Sequence, residues 1–233
     1  MSISLGIMPF VGSTAALMIE GEIVACACED RFARQKVIAD YPKNAIDFCL
    51  KYAKIEPEEI DRILIPFEGH KALNNPYQWI TNTDATFSME DKIREQYEYF
   101  KPNLIDGKNV NFLEVFKSKI IPERLEIFKR AGNGNFMEVC INDHLGIGKD
   151  KIHYLNHHYS HIMYSIYSNP QLSDPSLIFC MEGYGGKSNG SISLYKNGEV
   201  TTLYETPYCW IGRLYRYLTL LLGMKSNEHE YKV

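Results

Sequence analysis

The feature that most constrains the fold of this chain is an internal echo. Near the start, Ser2 to Met8, Ala15 to Ile19 and Glu22 to Cys28 read as three short strands, joined by a small-residue loop (Val11, Gly12, Ser13, Thr14) and a tight turn at Glu20-Gly21. The same order returns later: Leu177 to Met181, a glycine-rich loop, Ser191 to Tyr195, a turn at Asn197-Gly198, and a third strand. Gly21-Glu22-Ile23-Val24 lines up with Gly198-Glu199-Val200-Thr201, about 177 residues further on. Two strand–loop–strand–turn–strand units of this kind imply a duplicated α/β architecture. Its two lobes face one cleft, and each contributes a small-residue loop to it.

The remaining elements fit around these units. Pro42 opens an apolar-periodic helix through Ala45, Ile46, Cys49, Leu50 and Ala53, with the proline where its missing N–H costs nothing. Ile63 to Pro66 reads as a strand, Phe112 to Arg130 and Phe136 to Leu145 carry helical spacing, and Lys151 to Leu155 is a second buried strand. Gly132 and Gly134 mark a turn between the two helical stretches. A further helix starts near His157, and Ile211 to Leu222 is the helix that follows the second meander. Glu68 to Asn109 is polar, aromatic and weakly periodic, which suits a surface excursion rather than a core element. The domain reading is a first lobe over 1–170, with 68–109 as an insertion, and the start of a second lobe over 171–233 that lacks most of its counterpart.

Bulk properties narrow the partners. With 233 residues and 45 % hydrophobic content the chain can bury a sizeable core. A net charge of −4 supplies no field for a polyanion, so small molecules are expected as partners, not nucleic acid or an anionic membrane. The six cysteines show no CxxC spacing and read as reduced and structural. No apolar run approaches a membrane span and no secretory signal is evident, so a cytoplasmic location is expected.

Three constellations could carry chemistry. His157-His158-Tyr159-Ser160-His161 places His157 and His161 one helical turn apart on a shared face, as two imidazoles on one metal ion require. The glutamate of an HExxH protease is absent, and an imidazole cluster satisfied by backbone at a helix N-terminus is the alternative. Glu182-Gly183-Tyr184-Gly185-Gly186 joins a carboxylate at a strand end to glycines whose backbone N–H groups can approach a phosphate, though most such loops are plain turns. Gly12-Ser13-Thr14 is its first-lobe counterpart. Glu29 to Lys36 is a mixed-charge run, either a solvated loop or a place where Arg31 or Arg34 binds an anion.

Taken in order, these segments resemble the carbamoyltransferase family that includes nodulation-factor and antibiotic O-carbamoyltransferases. The resemblance rests on Leu5-Gly6-Ile7, Ser13 to Leu17, Gly21 to Val24, Glu29 to Phe32 with Arg34 and Lys36, and Tyr41-Pro42 leading to Ala45-Ile46. It continues through His157 to His161 with Ser165 and Tyr167, then Leu222 to Lys225, Asn227 and Glu230 to Val233. The resemblance implies an ASKHA fold of duplicated βββαβα units, here with the second lobe truncated. It also implies a YrdC-like domain elsewhere that makes carbamoyl-adenylate from carbamoyl phosphate and ATP.

The activity implied is transfer of the carbamoyl group to a hydroxyl of a sugar or secondary metabolite. By the same resemblance His157, His161 and Glu182 are ligands of a divalent metal, Fe(II) in preference to Zn(II), with a fourth ligand beyond Val233. Ser13, Thr14, Gly183, Gly185 and Lys232 contact the nucleotide and phosphates, Arg31 and Arg34 the substrate anion, and His158 is a candidate for catalysis. The missing C-terminal half, or a complementary subunit, is then expected as a partner, and a homodimer is compatible with it. Two departures stand out. Family members carry a His-Asp pair just before the serine of the first loop where this chain has Val11-Gly12, and their aspartate is here Glu182. Two other readings remain open: a non-catalytic ASKHA-like module that binds a ligand or partner, and another ASKHA member such as a sugar kinase or tRNA-threonylcarbamoyl enzyme.

Overall fold

A computed structural model describes the chain apart from residues 11, 37, 68–75, 82–87, 133–134, 186–187 and 226–227. The opening meander is present as expected: β1 (Ile3–Met8), β2 (Thr14–Ile19) and β3 (Glu22–Cys28) pair antiparallel, with Leu5 opposite Leu17 and Leu17 opposite Ala25. After a single helical turn at Asp30–Ala33, within the run read as a loop, comes α1 (Lys43–Ala53), whose buried stripe of Ala45, Ile46, Cys49 and Leu50 packs on β2 and β3. β4 (Arg62–Ile65) then runs parallel to β1, and β5 (Ile152–Tyr154) parallel to β4, giving a five-stranded mixed sheet in the order β3-β2-β1-β4-β5. The alternating Ile3, Leu5, Ile7, Leu17, Ile63 and Ile65 form the centre of the core.

No side chain of its own caps α1; Glu29, at the end of β3, takes that place. Its carboxylate accepts the backbone N–H of Ala45 at 2.8 Å and that of Asn44 at 3.3 Å. These are the second and third N–H groups of the helix, otherwise without partners, and the negative charge sits at the positive end of the helix dipole. Glu29 is therefore buried rather than part of a solvated run. Glu29→Ala is expected to cost roughly 1 kcal/mol, read from denaturant unfolding.

Two sequence expectations are corrected here. Within the expected surface excursion, α2 (Pro76–Thr81) sends Trp79 and Ile80 into the core, with Trp79 stacked on Phe136 at 4.1 Å. The helical stretch from Phe112 is broken. It forms one turn at Phe112–Val115, a 3₁₀ turn at Lys117–Lys119, and α3 (Pro122–Ala131). Pro122 forces Ile121 into an extended conformation, and Ile121 N–H bonds to Ile80 O at 2.9 Å instead of to a preceding turn. α4 (Phe136–Leu145) packs against α3 and contributes Met137, Cys140 and Ile141 to the core.

In the same region Asp91 is buried and receives hydrogen bonds from Lys119 and from Ser88. Burial alone would raise its pKa, but the bonds from Lys119 and Ser88 outweigh burial and lower it. A carboxyl lowered by folding stabilises the fold above its unfolded pKa, and that stabilisation fades as pH falls through the folded value. The thermal midpoint of Asp91→Asn should accordingly lie below wild type at neutral pH. The gap should close on acidification below about 4, as calorimetry across pH would show.

α5 (His157–Tyr167) leads to a second sheet, β6 (Ser176–Gly185), β7 (Ser188–Lys196) and β8 (Glu199–Thr206), an antiparallel meander in the order β6-β7-β8, followed by α6 (Ile211–Leu221). Both α5 and α6 pack on β6. The two meanders turn in the same way. Glu20 and Gly21 have φ of 50° and 87°, Asn197 and Gly198 of 53° and 78°, a pair of left-handed residues at each β-turn that matches the strand twist. Among the described residues no helix is long and apolar enough to cross a membrane.

Candidate metal centre

Asn156 caps α5 by accepting the N–H of Tyr159 at 2.8 Å, so the histidine run begins in the first helical turn. His157 and His161 then share a face, and their Nε2 atoms lie 3.2 Å apart. Glu182 meets both from β6: Oε2 is 2.7 Å from His157 Nε2, and Oε1 is 2.8 Å from His161 Nε2. His157 is fixed from behind. Its Nδ1 donates to the carbonyl of Pro66 at 2.9 Å, and Phe67 stacks on its ring at 4.3 Å, which leaves Nε2 facing Glu182.

Charge at the cluster is strongly coupled. Burial opposes ionisation of Glu182, but hydrogen bonds from His157 and His161, together with their charge, hold its carboxyl well below the usual range. The bond to Glu182 in turn raises His161 against the effect of its own burial. His158 points elsewhere: its Nδ1 is 2.8 Å from Ser191 Oγ, and burial pushes its pKa down. Cys180 Sγ donates to Glu182 Oε1 at 3.4 Å, and burial and the Glu182 charge push the thiol up to about 12.

His157, His161 and Glu182 fit a divalent transition metal. Two ligands about 2.0–2.1 Å from a tetrahedral ion sit roughly 3.3 Å apart, close to the 3.2 Å between the imidazole nitrogens. The carboxylate oxygens, at 2.7 and 2.8 Å from the two imidazole nitrogens, complete a three-sided donor set. Two imidazoles and a carboxylate suit Fe(II) or Zn(II) better than Mg(II) or Ca(II).

Other sequence candidates fall in varied places. The Ser13 hydroxyl is buried among backbone groups: it accepts the N–H of Asp40 and lies within 3.0 Å of the carbonyls of Phe10, Ile38 and Asp40, any one of which can take its single proton, so it braces the first loop. Thr14 Oγ1 donates to Gly12 O at 2.6 Å. Gly183 O accepts from Arg213 Nε at 2.9 Å, and Gly185 pairs with Ser188 in the sheet. Lys232 lies near the chain end over the Tyr231 ring.

Arg31 and Arg34 are exposed, Arg31 beside Asp30 at 3.6 Å, and neither shares a hydrogen bond or ion pair with the histidine cluster among the described residues. The cavity of about 180 Å³ near them is lined instead by Glu29, Gln35, Asp40 and Arg124. Val11, Gly134, Gly186 and Asn227 lie outside the described residues.

Sequence reasoning missed the Pro66 carbonyl and Phe67, which orient His157, and Ser191, which holds His158. It also missed Gly212 at the start of α6. A Cβ on Gly212 would lie 2.4 Å from Gly183 N and 2.7 Å from the Glu182 carbonyl carbon, so only glycine allows α6 to approach the Glu182 strand this closely.

A family model for the carbamoyltransferase N-terminus matches residues 4–233. The chain belongs to this carbamoyltransferase family. An uncharacterised protein from Synechocystis sp., sll1178, is 28 % identical over 229 residues, covering 95 % of this chain but 32 % of the relative. The chain therefore spans about a third of the length of the curated relative it matches. Among solved structures, YeaZ from Pseudomonas aeruginosa matches with a TM-score of 0.37 and 11 % identity, over 89 % of this chain and 68 % of that one, too distant to bear on fold or activity.

Proposed function

We propose that this chain is the metal-holding part of an O-carbamoyltransferase. The whole protein would transfer a carbamoyl group from carbamoyl phosphate, activated by ATP as carbamoyl-adenylate, to a hydroxyl of a sugar or secondary metabolite. The single observation that carries the reading is the convergence of His157 and His161 on Glu182 within a chain of the carbamoyltransferase family. The matching turns of the two meanders support the duplicated ASKHA arrangement, with 1–170 as first lobe and 171–233 as the start of the second. The remainder of the chain, or a complementary subunit, completes the proposal, and a cytoplasmic location goes with it.

A divalent cation held by His157, His161 and Glu182, Fe(II) in preference to Zn(II), would supply Lewis-acid polarisation of the carbamoyl carbonyl. The chain's own residues prepare the place. Pro66 and Phe67 hold the His157 ring with its Nε2 toward Glu182, and Glu182 contributes a carboxylate that stays ionised at neutral pH. The contact of Gly212 with Gly183 brings the N-terminal end of α6 against the Glu182 strand, where backbone N–H groups favour an anion such as a phosphate.

The test is incubation of the full-length protein with isotope-labelled carbamoyl phosphate, ATP and a panel of polyhydroxylated acceptors. Metal-dependent labelling of an acceptor, lost in His161→Ala, is expected. A metal-loaded protein that labels no acceptor and forms no carbamoyl-adenylate would contradict the proposal. One observation favours the second reading, a ligand- or partner-binding module: the loop from Pro9 to Ser13 carries no titratable side chain where family members have a His-Asp pair. That reading requires transfer to stay absent in the full-length protein.

A further inference from the structure

Strand alternation places Cys180 and Glu182 on the same face of β6, and Cys180 is buried there. His158 follows His157 on α5 and is therefore turned about 100° away from the His157–His161 face. It is 3 % exposed, and while its Nδ1 meets Ser191 Oγ, its Nε2 is buried with no partner among the described residues. An imidazole nitrogen shut away from water without a partner is costly, and such groups mark places where something else binds. A ring nitrogen of His158, the thiol of Cys180 and a carboxylate oxygen of Glu182 all lie within 4.8 Å of one another.

We infer that His158, Cys180 and Glu182 form a second transition-metal position, with Glu182 shared between it and the His157–His161 pair. The inference rests on the metal reading of that pair only for the sharing. The spacing suits it. A thiolate and a carboxylate oxygen on one tetrahedral ion, at about 2.3 and 2.0 Å, are roughly 3.5 Å apart, and Cys180 Sγ is 3.4 Å from Glu182 Oε1. The ligand set of thiolate, imidazole and carboxylate selects Zn(II), Fe(II) or Co(II) over Mg(II) and Ca(II). Ser191 fixes the ring so that Nε2 is the free donor, in the way an outer partner sets a histidine ligand. Binding exchanges the S–H bond for a sulfur–metal bond and releases the proton to water, with no change of oxidation state. In this arrangement His158 is a ligand, and proton transfer falls to another group.

Titration of the metal-free full-length protein with Co(II), read by elemental analysis and near-ultraviolet absorption, tests this. Two equivalents per chain are expected, one of them developing a thiolate-to-cobalt charge-transfer band. Cys180→Ser should bind one equivalent without the band, and His158→Gln, a second route to the same reading, should also lose one equivalent. His161→Ala should weaken the other equivalent and keep the band. One equivalent without the band in wild type would overturn the second position while leaving the first intact. One equivalent with the band would overturn the two-ion arrangement. Loss of neither ion in His161→Ala, with the band present, would contradict the first site and not this one.

Discussion

Replacement of His161 by alanine is expected to lower metal affinity at the His157–Glu182 cluster by more than about 100-fold, since loss of even an outer-shell partner costs about 10–100-fold. Half of the His161 side chain is exposed, so its removal opens no core cavity. The fold should survive. Glu182→Gln should act similarly while keeping the shape of the side chain, because a neutral amide cannot supply the charge that two imidazoles and a cation require. Elemental analysis after dialysis against a graded series of chelators reads both variants. Retention of wild-type metal content in each would show that the metal is not held by this cluster.

Gly212→Ala is expected to destabilise the protein by about 3 kcal/mol, the upper part of the usual range for overpacking, and to weaken metal binding without touching a ligand. The new methyl would meet Gly183 N at 2.4 Å, the Glu182 carbonyl carbon at 2.7 Å and Gly183 Cα at 2.9 Å. All three are backbone atoms and none can rotate aside, so either α6 or the end of β6 must move, taking Glu182 with it. Gly183→Ala is the contrast. Its Cβ would find nothing nearer than 3.8 Å, and its φ is not left-handed, so it should be tolerated although it belongs to the glycine-rich run at the end of β6. Thermal unfolding and metal content measured side by side decide the matter. Equal damage from the two substitutions would show that backbone freedom, not helix approach, is what the glycines provide.

That contrast shows where reading the sequence succeeds and where it stops. Both meanders were legible because alternation of apolar residues and the Glu20-Gly21 and Asn197-Gly198 turns are local signals. The His157–His161 pair was legible from helical spacing, and Glu182 from its place between a strand and glycines. Residues fixed by distant chain were not. Trp79 enters the core against Phe136 from a polar, weakly periodic stretch, Glu29 caps a helix that begins fourteen positions later, and the Ser13 hydroxyl is taken up by the carbonyls around Ile38 and Asp40. Pro122 was visible in the sequence, but the helical spacing around it concealed the break. Gly212 and Ser191 carry no local signal, because what each does depends on a partner in another element.

Metal binding by His157, His161 and Glu182 is tested most directly by anomalous diffraction from crystals of the full-length protein, collected at the iron and zinc absorption edges. A peak is expected within bonding distance of His157 Nε2, His161 Nε2 and the Glu182 carboxylate. No peak there, in a protein that transfers the carbamoyl group at full rate, would contradict it.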